Sequence, residues 1–210
     1  MNSWLDGIDG IITGGITVED FAVVSKTNKT TARKMLQELA TNDIGKLVDN
    51  TIEFEDGDKL RVAIFTLSKG VLIDEIAKHL DWKDFEGLAA KILEAHEFAT
   101  IRNLVLTKPR MEIDVVGIRL GIAMLIDCKH WKKTTSSALN SIAQKQIERT
   151  KQYVAKTKGA IAAPVIVTLY QDKISFAGKV PVVPIFQLDS FLDEFYGNLE
   201  NIQIIEKESQ

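Results

Sequence analysis

The alternation of apolar and polar positions divides the chain into a helical first third and a strand-rich remainder. In TVEDFAVVSK, Thr17 stands where a helix cap is expected, with Asp20 three positions on as in a capping box. After the Thr27-Asn28 break, KTTARKMLQELATND places Ala32, Met35, Leu36 and Leu39 on one helical face. LVDNTIEFEDGDKLRVAIFTLSKG alternates and contains Asp56-Gly57, which predicts a β-hairpin turning at that dipeptide. Val71 to Leu80 reads as a short helix. Asp81 then caps a longer one, WKDFEGLAAKILEAHEF, whose apolar stripe is Phe85, Leu88, Ala89, Ile92 and Leu93.

From Phe98 the period changes to that of strands: FATIRNLVLT, RMEIDVVGI and IAMLIDCKHW. A helix over 137–158 closes at Gly159, and the continuous apolar run APVIVTLY suits a central parallel strand. VPVVPI reads as a further strand and LDSFLDEFYG as a final amphipathic helix. The order αβββαβ predicts an α/β fold, a mixed β-sheet flanked by helices, over 79–210, preceded by a small domain over 1–78. Two short helices and a hairpin resemble a winged helix-turn-helix, whose second helix would enter a major groove. Lys29, Arg33 and Lys34 near its start are candidate nucleic-acid contacts. The hairpin itself is acidic (Glu53, Glu55, Asp56, Asp58), which suits a protein-interaction or dimer module equally well.

Within PRMEIDVVGIRLGIAMLIDCKHW, Asp114 and Asp127 interrupt apolar strands, although buried carboxylates are costly unless compensated. Arg119-Leu120-Gly121 is the expected turn between two antiparallel strands, Gly121 supplying the positive φ. A two-residue loop sets Asp114 directly opposite Asp127, and a three-residue loop makes them diagonal neighbours. Facing like charges repel, and a divalent cation between them reverses that sign; carboxylate oxygens with room for water and phosphate suit Mg²⁺. Lys129, two residues beyond Asp127, points to the same side, where its ammonium can meet a phosphate. Metal-assisted phosphodiester hydrolysis needs this combination.

Charge strengthens the reading. The net charge of −3 conceals a segment, 100–160, with twelve Lys or Arg against four Asp or Glu. A single cysteine, Cys128, excludes an internal disulfide and a cysteine-based zinc site, and the three histidines lack metal-ligand spacing. The start MNSWLDGIDGIITGG has no basic leader, and no apolar run reaches the roughly 18 residues of a membrane span, so a cytoplasmic protein without membrane association is expected.

IDVVG, a turn and IDCKHW resemble the PD-(D/E)xK, or restriction-endonuclease-like, nuclease superfamily. Asp114 matches its first acid, Asp127 its second and Lys129 its lysine; Ile113 stands where the family name has proline. The helix WKDFEGLAAKILEAHEF is similar to that of Mrr-like and archaeal Holliday-junction-resolvase-like members, and Glu86 falls where their helix glutamate completes the acidic cluster. The resemblance implies a metal site of Glu86, Asp114 and Asp127 holding Mg²⁺, with Mn²⁺ able to substitute. It implies a further catalytic contribution from a glutamine in the following helix, Gln146 here with Gln144 as the alternative, and it implies DNA as substrate and a homodimer. Arg110, His130, Lys132, Lys133, Lys145 and Arg149 are the expected phosphate contacts. Two other readings stand beside a DNA endonuclease: a DNA-binding regulator that keeps the fold without turnover, and an RNA nuclease.

Overall fold

The computed structural model describes residues 2–130, 135–169 and 173–207. Contacts divide the chain into two compact units, Met1–Asp84 and Phe85–Gln210. Among the described residues, no helix is long and apolar enough to cross a membrane.

In the first unit, α1 (Ser3–Gly7) and the short β1 (Ile16–Thr17) lead into α2 (Val18–Val24) and α3 (Lys29–Thr41). The cap expected at Thr17 is present: its hydroxyl accepts the Asp20 N–H at 3.1 Å and donates to Asp20 Oδ2 at 2.7 Å. Asn28 caps α3 in the same manner, and the stripe Ala32, Met35, Leu36 and Leu39 is buried. The hairpin that follows is not where Asp56-Gly57 predicted it. Strands β2 (Lys46–Val48) and β3 (Thr51–Glu53) turn at Asp49-Asn50, and β1 completes a sheet of order β1-β3-β2.

Residues expected to form the returning strand are instead α4 (Asp58–Ser68), followed by α5 (Ile73–Ala77). Gly57 does take a left-handed φ of 88°, but it does so at a helix entrance. There the buried Asp58 carboxylate accepts the Glu55 N–H at 2.9 Å and pairs with Arg61 at 3.2 Å. The buried set Leu60, Val62, Ala63 and Thr66 is compatible with one helical face, which the β-branched residues of the run had disguised.

The second unit is built on a mixed sheet. Helix α6 (Trp82–Ala95), whose first turn Asp81 caps by accepting the Asp84 N–H at 2.9 Å, precedes a meander of β4 (Ala99–Leu106), β5 (Met111–Arg119) and β6 (Ile122–Lys129). Helix α7 (Ser136–Lys156), capped by Thr135, crosses over to β7 (Ile161–Thr168), which lies parallel to β6. Then come β8 (Ser175–Ala177), β9 (Val180–Pro184), α8 (Leu188–Glu194) and β10 (Ile205–Glu206). Among the described residues the sheet has seven strands, in the order β4-β5-β6-β7-β9-β8, with β10 pairing antiparallel to the start of β7.

Neighbouring residues of β5 show how the sheet is covered. Val116 belongs to the core under Tyr153 and Val154 of α7. Gly117 points the other way, toward α6, where an added Cβ would lie 2.8 Å from Leu93. The helices therefore pack on opposite faces of a sheet that is buried between them, the mixed-sheet arrangement expected from the order αβββαβ.

Candidate active site

The β5–β6 turn sets the geometry of the site. Arg119 pairs with Ile122, so the loop is the two residues Leu120 and Gly121, with φ of 47° and 79°. That register runs to Val115↔Ile126 and, carried one step further, sets Asp114 opposite Asp127. The ladder stops just short of the acids. In place of a backbone pair, Asp114 Oδ2 accepts the Cys128 N–H at 2.7 Å. A second irregularity lies on the other side of Asp114: β4 and β5 pair continuously except at Asn103, opposite Asp114, where Asn103 has a φ of 52°. Freed from the ladder on both sides, the Asp114 carboxylate can turn toward the end of β6. Breaks of this kind are a recurrent means of re-aiming a side chain.

Asp127 is 1% exposed and is held by two cations. Its Oδ1 accepts from Arg149 Nη1 of α7 at 2.7 Å, and Lys129 Nζ lies 2.8 Å from its Oδ2. The lysine contact has ion-pair distance without hydrogen-bond geometry, so Oδ2 accepts no hydrogen bond. Glu86, one turn into α6 and 5% exposed, likewise has an Oε2 without a hydrogen bond. Burial pushes the Glu86 carboxyl up to about 7; Asp114 and Glu112 add to the rise, and Arg102 and Lys129 oppose it. Asp114 is also raised, first by burial and then by repulsion from Asp127, against the Cys128 N–H, Lys129 and Arg149. The Cys128 thiol is pushed up by burial and by the same acids.

Glu86, Asp114, Asp127 and Lys129 are thus brought into one electrostatically coupled group. Gln146 is near but differently engaged: fully buried on α7, it donates from Nε2 to Leu125 O at 2.8 Å. Its Oε1 accepts from Arg149 Nη1 at 3.2 Å. Gln144 is exposed. Arg149, expected at phosphate, has its guanidinium on Asp127. His130 packs edge-on against Phe85 at 5.5 Å. Arg110 is exposed in the β4–β5 turn and Lys145 is exposed on α7, while Lys132 and Lys133 lie outside the described residues.

In the first unit, Lys29 pairs with Glu19, Arg33 bonds the Asn50 side chain and the Asp49 carbonyl of the hairpin turn, and Lys34 is exposed. The contributions of Arg102 and Glu112 to Glu86 went unread in the sequence. Glu112 stands two residues before Asp114 on β5 and Arg102 lies opposite Val115 on β4, placements that the strand register would have exposed.

The donors fit a hard divalent cation: carboxylate oxygens, two of them buried without hydrogen bonds, at a site whose acids are destabilised first by burial and then by mutual repulsion. Among the described residues, no three such side chains already converge on one point. Asp127 faces its cations, and Asp114 faces the Cys128 amide.

A mixed sheet flanked by helices, with two strand acids and a lysine at one end of a hairpin and a glutamate from the preceding helix, defines a restriction-endonuclease-like domain. A model of the Mrr_cat family, described as restriction endonuclease, matches residues 77–171, and the chain belongs to that family. An uncharacterized protein from Archaeoglobus fulgidus is 35% identical over 119 residues, which cover 55% of this chain and 92% of that one. Among solved structures, the protein of unknown function AF1548 is similar over 40% of this chain and 44% of its own, at 25% identity and a TM-score of 0.32. Protein VC1899 from Vibrio cholerae is similar over 95% of this chain and 52% of its own, at 10% identity and a TM-score of 0.44. The chain thus spans about half the length of these two structures or less.

Proposed function

We propose that the protein is an endonuclease that hydrolyses DNA phosphodiester bonds with Mg²⁺, or Mn²⁺ in its place. The observation that carries this is the trio of buried Glu86, half-buried Asp114 and buried Asp127, with hydrogen-bond-free oxygens on the first and last, beside the Lys129 ammonium. Glu86, Asp114 and Asp127 would hold the ion, which when bound neutralises their repulsion and supplies a water of lowered pKa. Lys129 sits where its charge can stabilise the phosphate as negative charge accumulates on it. Burial under α6 and α7 excludes bulk water and strengthens each of these interactions. Lys145 on α7 and Arg110 in the β4–β5 turn supply backbone contacts that carry no sequence preference. Cutting both strands calls for two copies of the site, hence a homodimer.

The first unit would present DNA or a partner, as a winged-helix-like module. The helix–helix–hairpin order and the β1-β3-β2 sheet support that reading, and the exposed Lys34 is its contact.

The test is cleavage of supercoiled, linear, single-stranded and four-way-junction DNA in Mg²⁺ or Mn²⁺ against EDTA. Asp127→Ala and Lys129→Ala are each expected to lower cleavage by about 100-fold or more while DNA binding persists. Undiminished cutting in either variant overturns the site. Wild-type protein that binds DNA and cuts nothing with any metal would instead be a regulator that keeps the fold, and cleavage confined to RNA would make it a ribonuclease.

A further inference from the structure

The buried acid of β6 is gripped through a closed relay that starts and ends on its own strand. Leu125 O accepts from Gln146 Nε2 at 2.8 Å, Gln146 Oε1 accepts from Arg149 Nη1 at 3.2 Å, and the same nitrogen donates to Asp127 Oδ1 at 2.7 Å. Gln146 is fully buried, and its own carbonyl accepts the Thr150 hydroxyl at 2.8 Å, so the relay is tied into the backbone of α7. The result is a division of labour between the two oxygens of one carboxylate: Oδ1 is hydrogen-bonded to Arg149, and Oδ2 meets the Lys129 ammonium at 2.8 Å without accepting a hydrogen bond.

We infer that Arg149 is a positioning residue for Asp127 and not a DNA contact. Held in turn by Gln146, it fixes the carboxylate so that Oδ2 is turned away from α7, toward the Lys129 ammonium and the side on which a divalent cation would bind. This rests on the metal-site reading above. A guanidinium suits the task because its planar fork keeps its charge and its direction when buried, which a lysine ammonium on a flexible stem does not. A salt bridge that served stability alone would not require the glutamine.

The test uses the full-length protein and reads Mn²⁺ binding by calorimetry, with duplex binding in EDTA by fluorescence anisotropy. Arg149→Lys is expected to weaken Mn²⁺ binding by about 10- to 100-fold, the usual effect of losing a group that orients a metal ligand, with duplex affinity within about twofold of wild type. Unchanged Mn²⁺ affinity overturns the inference. So does a loss of duplex affinity with a salt slope shallower by about one, the mark of a phosphate contact.

If Arg149→Lys does not fold, Gln146→Met removes the anchor and leaves the arginine in place; it too should weaken Mn²⁺ binding, and an unaltered affinity would refute the relay. Should wild-type protein bind no Mn²⁺, the metal reading fails separately. The grip is then judged without metal, from thermal melts of Arg149→Met, Asp127→Asn and the double variant. Losses that simply add overturn it, and a double variant no less stable than the worse single supports it.

Discussion

Glu86 shows how burial becomes a measurable property of one residue. Its carboxyl, ordinarily near 4.5, is pushed up to about 7 in the fold, so across that interval the native state binds a proton that the unfolded chain has released. Stability gained from this group is fully present below about pH 4.5 and is lost as pH rises through 7. Glu86→Gln removes the titration. In metal-free protein, the variant's melting temperature relative to wild type should climb between those two pH values and then level off a few degrees higher. Parallel curves would show that Glu86 ionises as an ordinary surface acid. Of the acid group, Asp114, Asp127 and Lys129 could be placed from sequence, because strand period and turn length alone put them together. The grip of Arg149 on Asp127 could not, since it depends on the rotational phase of α7 above β6.

At the scale of elements, the β5–β6 turn is both the most legible feature and an imperfect one. Gly121 announced it, and the two-residue loop it forms fixes the register that faces Asp114 with Asp127. Leu120, 76% exposed, nonetheless takes a φ of 47°, a conformation that costs a branched L-residue about 1 kcal/mol. Leu120→Asn is therefore expected to raise the melting temperature by roughly 2–4 °C, because Asn-Gly is the favoured pair for such turns. An unchanged or lower value would mean that the leucine has a packing role.

The element that misled was α4. Asp56-Gly57 is a strong hairpin signal between alternating runs, but the same left-handed glycine also serves a helix entrance, and only the packing of Leu60 and Ala63 decides between the two. The strands β8 and β10 were likewise illegible. They are three and two residues long, too short for any period to register.

For the molecule as a whole, formal charge overstates what is offered to a polyanion. Of the cations between 100 and 160, Arg119 pairs with Glu97, Lys156 bonds the Thr107 and Lys108 carbonyls, and Lys129 and Arg149 face Asp127. Exposed positions such as Lys145 and Arg110 are left to meet phosphate. The proposed DNA contact should therefore weaken linearly with the logarithm of salt concentration, and Lys145→Glu should reduce that slope by about one. A flat response would contradict the surface.

The unpaired step at Asn103 and Asp114 has a last consequence. A sheet stitched without interruption moves as a plank. One missing stitch divides the β4–β5 hairpin into two blocks, and Asp114 stands on the seam between them. Its carboxylate can tilt by breaking only the Cys128 contact, with the pairs on either side left closed. The stiff core and the adjustable acid are thereby separated within a single strand, which would let the acids gather around the proposed ion without unravelling the sheet that carries them.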